Sequence, residues 1–222
     1  MKLSGKVESG WLSSDPESNL TGNKEQVRRP MKESLLFLYN FVRHPKSTGA
    51  VIPSSRRLAG VMVEGAGLDT AATVVELGPG TGAFTGAIAE NLGAQGTYLG
   101  IELQEKFAAI VKNKFPHLLV VNDSAEKIVE NLRKLDREKA DAIISGLPWG
   151  TFDADLQNRI MNAVTDALPA GGKFATFTYL HAARMKAGRR FRSLLDENFS
   201  EVRISRTIWR NLPPAFVYHC TK

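Results

Sequence analysis

Three acidic residues close three short apolar runs: Glu76 after Thr73-Val74-Val75, Glu102 after Tyr98-Leu99-Gly100-Ile101, and Asp123 after Val120-Val121-Asn122. Close behind the first come Gly78, Gly80 and Gly82, with Thr81 between the last two. Glycines in such a turn remove the Cβ atoms that would keep a nucleotide-like ligand away from the backbone. Glu76 sharpens the reading, because a carboxylate there opposes a pyrophosphate and suits a cationic, phosphate-free ligand.

S-adenosylmethionine is such a ligand, with S-adenosylhomocysteine as its product. The expected site gives Glu76 the ligand's amino group, directly or through water. The amides of Gly78, Gly80 and Gly82 are expected to face the ligand, with Thr81 in the same turn. Glu102, with Leu103 beside it, takes the ribose hydroxyls, at the ~20-residue offset from the glycines that a strand-end acid shows in dinucleotide sites. Asp123, followed by Ser124 and Ala125, is placed for the adenine amino group. Each acid alone could be a solvated turn residue, but three at successive strand ends argue against coincidence.

A fourth apolar run leads into Ser145-Gly146-Leu147-Pro148-Trp149, where a methyl group and its acceptor would meet. Ser145 can accept a hydrogen bond from an amine, with Gly146 and Leu147 lining the donor. A serine reaches less far than an amide side chain, so an aliphatic primary amine is at least as plausible an acceptor as a base edge. The Gly146-Leu147-Pro148 segment also reads as a simple turn.

These residues need a frame, and the chain supplies one. Strands are expected near 73–77, 97–102, 118–122, 140–145 and 173–179, with helices near 83–92, 104–114, 124–134, 154–168 and 184–198. Such alternation with short connections means a parallel sheet covered on both faces. Val202 to Trp209 and Ala215 to Thr221 read as a closing hairpin, giving a seven-stranded, mostly parallel, Rossmann-like α/β sheet of the class I methyltransferase type with helices before it. Residues 67–222 form this domain.

Residues 1–23 read as a flexible lead-in, and 24–66 as amphipathic or cap helices. Within the first of these, Val27, Met31, Leu35, Leu38 and Val42 make a stripe that Leu36, Phe37 and Phe41 widen, ringed by Lys24, Arg28, Arg29 and Lys32. The stripe fits a cap on the core or an interfacial helix meeting anionic lipid.

Composition bounds the rest. With 43% apolar and 23% charged residues the chain is an ordinary globular protein. Its single cysteine excludes an internal disulfide and suits a reducing compartment. No apolar run approaches the ~20 residues that span a bilayer, so a cytoplasmic location is expected. A formal charge of +6 favours anionic partners, and Arg184, Lys186, Arg189, Arg190 and Arg192 fall together without an acid. No metal-ligating cluster stands out.

Taken together, Gly49-Ala50-Val51-Ile52-Pro53-Ser54-Ser55, Glu76 to Gly82, Ser145 to Pro148 and Asn211-Leu212-Pro213-Pro214-Ala215-Phe216-Val217-Tyr218 resemble the bacterial phospholipid N-methyltransferases, relatives of the ribosomal RNA adenine dimethyltransferases. The resemblance covers roughly residues 30–222. It implies methyl transfer from S-adenosylmethionine to the amine of phosphatidylethanolamine, toward phosphatidylcholine, or to an ornithine lipid. It also implies peripheral attachment to the inner face of the membrane through the N-terminal helix. Enzymes of this class acting on planar amines often carry Asn or Asp, Pro, Pro and an aromatic where this chain has Ser145 to Trp149. On this reading Tyr39, Tyr179 and His181 hold or deprotonate the amine, and Arg184 and Arg189 take the lipid phosphate. The competing reading is an rRNA adenine N6-dimethyltransferase. The altered acceptor loop and the lack of a helical segment after the hairpin speak against it and against nucleic acid as partner. A non-catalytic cofactor-binding protein and a dehydrogenase rank lower.

Overall fold

The computed structural model describes residues 56–222. The expectations for the N-terminal helix, for Tyr39 and for the 49–55 segment lie outside the described residues. Seven strands make one sheet: β1 (Thr73–Leu77), β2 (Thr97–Glu102), β3 (Leu119–Asn122), β4 (Ala142–Ser145), β5 (Lys173–Tyr179), β6 (Glu201–Ile204) and β7 (Ala215–Thr221). Their order is β3-β2-β1-β4-β5-β7-β6. The first five run parallel, while β7 lies antiparallel between β5 and β6. The expected closing hairpin is therefore present. Strand order reverses between β1 and β4, which opens a crevice at their carboxyl ends.

The seven helices among the described residues are α1 (Arg56–Val63), α2 (Thr85–Asn91), α3 (Glu105–Lys114), α4 (Ile128–Arg133), α5 (Ala154–Ala167), α6 (Leu180–Arg184) and α7 (Lys186–Asn198). Successive strand residues feed opposite faces. Val75, Leu77, Ile143 and Phe174 pack with Ile128, Met161 and Phe191 on one side. Val74, Ile144, Ala175 and Val217 pack with Leu58, Met62 and Ile88 on the other. All five β1 residues are buried, which is why that strand reads as an unbroken apolar run with one acid in it. Leu58 and Met62 of α1 are fully buried against the sheet, each worth roughly 1.5–3 kcal/mol of burial.

The helix expected near 184–198 is two helices. Met185 is extended, with ψ at 159°, and separates α6 from α7. Gly188 lets the two pack tightly, since a Cβ there would lie 2.1 Å from the Ala182 carbonyl oxygen. The helix expected near 124–134 opens as a single 3-10 turn, Ala125–Lys127, before α4 begins.

Candidate active site

The turn after β1 is held in left-handed conformations, with φ of 67° at Gly78, 59° at Gly80 and 83° at Gly82. Its amides do not face outward as expected. Gly78 N–H donates to Ile101 O at 2.9 Å, Gly82 N–H to Pro79 O at 2.9 Å, and Gly80 N–H to a Glu102 carboxylate oxygen at 2.9 Å. The glycines thus serve conformation and close approach: the Gly78 and Gly80 amides tie the turn to β2, and the Gly82 amide closes it on itself. Thr81 is exposed at its tip.

Glu76 is fully buried. One of its oxygens, Oε2, accepts both the Tyr98 hydroxyl at 2.5 Å and the Thr85 hydroxyl at 2.8 Å. The other, Oε1, is the one buried side-chain polar atom without a partner among the described residues. Burial pushes the Glu76 carboxyl up to about 7, the two hydroxyls pull it down, and the nearby Glu102 charge adds a smaller upward push. Tyr98 is itself driven well above its ordinary range, by burial first and then by the Glu76 charge, so it stays a donor. Gly100 makes this contact possible. It is the register partner of Glu76, and a Cβ on it would lie 2.7 Å from the Tyr98 hydroxyl. The sequence marks Tyr98 only through Tyr98-x-Gly100, two residues short of the β2 acid, and carries no signal for Thr85.

At the end of β2, Glu102 is nearly buried and accepts the Gly80 and Gln104 amides, each at 2.9 Å. Burial raises its carboxyl above the usual range, opposed by those backbone donors. Leu103 beside it is exposed. Asp123 follows β3 and is tied to Glu102 through its amide, 3.1 Å from Glu102 O. Its carboxylate receives Ser124 N–H at 2.8 Å and the Asn131 amide at 3.0 Å, and Asn131 is the leading cause of its lowered pKa. Ser124 Oγ in turn caps the 3-10 turn that starts at Ala125, accepting Glu126 N–H at 3.3 Å.

The loop after β4 sits directly on the glycine turn. Gly146 N–H donates to Leu77 O at 2.8 Å, and a Cβ on Gly146 would lie 2.7 Å from Gly78 O. Leu147 reaches back over the turn, where a Cβ on Gly78 would meet its Cδ2 at 2.8 Å. Ser145 is fully buried, and its Oγ accepts the Trp149 indole N–H at 3.0 Å and faces the Leu147 amide at 3.4 Å. Both acceptor directions of that oxygen are taken, so Ser145 shapes the loop and has no lone pair left over for a substrate amine. Trp149 is stacked on Phe191 at 4.5 Å, and its carbonyl accepts the Gln157 amide at 2.6 Å. Arg190 completes the support, bonding Gln157 Oε1 at 2.9 Å and Phe152 O at 3.0 Å. Sequence spacing carried no sign of this Trp149–Gln157–Arg190 chain, which joins three separate elements.

At the carboxyl end of β5, four rings make a continuous run. Phe84 meets Phe177 at 5.5 Å, Phe177 meets Tyr179 at 5.4 Å, and Tyr179 stacks on His181 at 5.8 Å and 9°. Burial pushes the Tyr179 phenol up to about 12, so it can donate or offer its ring face but cannot serve as a base near neutrality. His181 is exposed in α6. Arg184 and Arg189 are also exposed, and the Arg189 guanidinium donates to the Arg184 carbonyl.

These features fit a ligand with a ribose and a cationic amine. The unpartnered Oε1 of Glu76 lacks a donor, the cleared Cβ positions bring two loops to the crevice, and Glu102 closes it with a carboxylate. Among the described residues no group of side chains could hold a metal ion.

A family model described as a methyltransferase domain matches residues 74–172. The ornithine lipid N-methyltransferase of Singulisphaera acidiphila is 31% identical over 193 residues, covering 86% of this chain and 96% of that protein. Among solved structures, an O-methyltransferase from Bacillus cereus in complex with SAH superposes with a TM-score of 0.62 at 14% identity, covering 88% of this chain and 94% of the other. A TehB-like SAM-dependent methyltransferase from Corynebacterium glutamicum gives 0.56 at 15% identity, covering 86% and 99%. At such identities the likeness is one of fold.

Proposed function

We propose that this chain, which belongs to the bacterial lipid N-methyltransferase family of class I S-adenosylmethionine-dependent enzymes, methylates the primary amine of a membrane aminolipid. An ornithine lipid is the first candidate and phosphatidylethanolamine the second. The observation that carries the reading is the 31% identity over 193 residues to an ornithine lipid N-methyltransferase. A match of that length on a chain of 222 residues spans both the glycine turn and the loop after β4.

S-adenosylmethionine, when bound, supplies an electrophilic methyl group. The chain's own residues then have four tasks. Glu76 offers its unpartnered oxygen to the donor's amine, and Glu102 and Asp123 take the ribose and adenine ends. The Ser145–Trp149 loop, fixed by Trp149 and Gln157, sets the wall against which the acceptor nitrogen lies. Tyr179 holds that nitrogen with its hydroxyl or ring face, and His181 takes the proton that the ammonium must shed. Arg184 and Arg189 face the anionic part of the lipid. Alignment of lone pair and methyl carbon supplies much of the rate. The enzyme would work on the cytoplasmic face of the membrane.

The test is incubation of the full chain with isotopically labelled donor and a panel of aminolipids in detergent micelles, with structured rRNA in parallel, read by mass spectrometry. Methyl increments on an ornithine lipid or phosphatidylethanolamine are expected. Label in RNA adenine with none in any lipid would overturn the reading.

A further inference from the structure

Seven large apolar side chains are exposed among the described residues, and they are not scattered evenly. Met185, Trp209 and Leu212 are 55%, 69% and 51% exposed, and all three lie past the carboxyl edge of the sheet. Topology puts them there. β7 is antiparallel to β5 with Ala215 opposite Tyr179, so the segment leading into β7 emerges where β5 ends. Leu180 N–H donates to Pro214 O at 3.0 Å, joining the start of α6 to the end of that segment. The segment is a built one. Ile208 is buried and bridges to Ala215, and Asn211 is buried with its side-chain amide on Pro213 O at 2.8 Å. Trp209 and Leu212 therefore project from an ordered tip. An exposed indole and isobutyl group on such a tip are what an interfacial anchor presents.

The charge around the tip selects the partner. No Asp or Glu occurs from Leu180 to Leu195, nor from Val202 to Lys222. Arg190 is tied to Gln157 and Arg192 is paired with Asp196 at the surface, but Arg184, Lys186, Arg189, Arg206 and Arg210 are exposed and pair with no carboxylate among the described residues. Exposed apolar side chains flanked in sequence by unpaired cations match the acyl boundary and the phosphate layer of an anionic bilayer.

We propose that the Trp209–Leu212 tip, together with Met185, is a membrane-insertion surface that seats the carboxyl edge of the sheet on anionic lipid. The site of methyl transfer then opens toward the headgroup layer, and the lipid amine is reached without leaving the bilayer. The inference rests on the aminolipid reading above, and its source of negative charge is a membrane surface.

Trp209 reports on itself. The chain has three tryptophans, and of the two described Trp149 is only 1% exposed. In full-length chain carrying Trp11→Phe, emission is recorded with vesicles of phosphatidylglycerol and phosphatidylcholine in equal parts, with and without brominated acyl chains. Binding should shift the Trp209 emission to the blue, and the brominated lipid should quench it. Adding Trp209→Phe should abolish the quenching. Leu212→Asp should weaken vesicle partitioning roughly tenfold while leaving Tm and cofactor binding unchanged. Vesicle binding without quenching of Trp209 would overturn the proposal, since another part of the chain would then be the anchor. So would emission already blue without lipid, which would mean that the rest of the chain or a second copy covers the tip. Turnover of aminolipid in detergent micelles is measured beside it. Turnover kept while quenching is absent sinks only the insertion surface, and turnover absent on every aminolipid sinks the function.

Discussion

Replacing Glu76 by glutamine should make the ligand-free enzyme more stable at alkaline pH and a poorer binder of its cofactor. Glu76 is fully buried, with two hydroxyl donors on one oxygen and none on the other. Its carboxyl stands at about 7 in the fold against an ordinary 4.5. Between those values the folded protein holds a proton that the unfolded chain has released, so stability falls as pH rises through that window. By about pH 8 the ionised group leaves the fold about 3 kcal/mol less stable than it is at about pH 4. Glutamine keeps the shape, can accept both hydroxyls on its carbonyl oxygen, and brings no charge to desolvate. Thermal unfolding without ligand should show wild type and variant alike near about pH 4.5, while at about pH 8 the variant should gain roughly 6–12 °C in Tm. Calorimetric titration at about pH 8 should show S-adenosylmethionine binding weakened about 10–100-fold, the worth of one charge-assisted hydrogen bond. A variant less stable than wild type by the same amount at both pH values would refute the argument, as would unchanged affinity.

Gly100→Ala should act on the same carboxylate from a distance. Its Cβ would displace the Tyr98 hydroxyl, remove a donor to Glu76 and drive the Glu76 carboxyl higher, which a shifted pH-dependence of Tm would report; stability should fall by about 1–3 kcal/mol. Gly146→Ala should abolish cofactor binding in equilibrium dialysis, because its Cβ would meet the backbone oxygen of Gly78 rather than a movable side chain. Tyr179→Phe and His181→Ala should each lower kcat by about 10²–10⁴-fold with cofactor affinity unchanged, the range for a lost proton-transfer or positioning group; unaltered turnover would remove them from the mechanism.

The frame was legible because its signals are local. The buried run of β1, the glycines after it and the acids at the ends of β2 and β3 all announce themselves within a few residues of sequence. What lies between elements was not legible. The Glu76–Tyr98 contact depends on strand register, which sets Gly100 opposite Glu76. The occupation of Ser145 Oγ by Trp149 depends on a turn that folds an indole back four residues. The glycine amides looked free because their acceptors, Ile101 O and the Glu102 carboxylate, sit on another strand. The break at Met185 hid inside a basic run whose composition favours a single helix.

The contact of Gly146 with Gly78 has a thermodynamic consequence. Two loops that touch backbone to backbone, one proposed for the donor and one for the acceptor, do not adjust independently. Filling the donor side fixes the wall against which the acceptor lies, and an acceptor pressed on that wall holds the donor turn in place. The two ligands should then show positive cooperativity, and linkage requires the factor to be the same in both directions. The cofactor would sharpen the enzyme's grip on its acceptor by as much as the acceptor sharpens its grip on the cofactor.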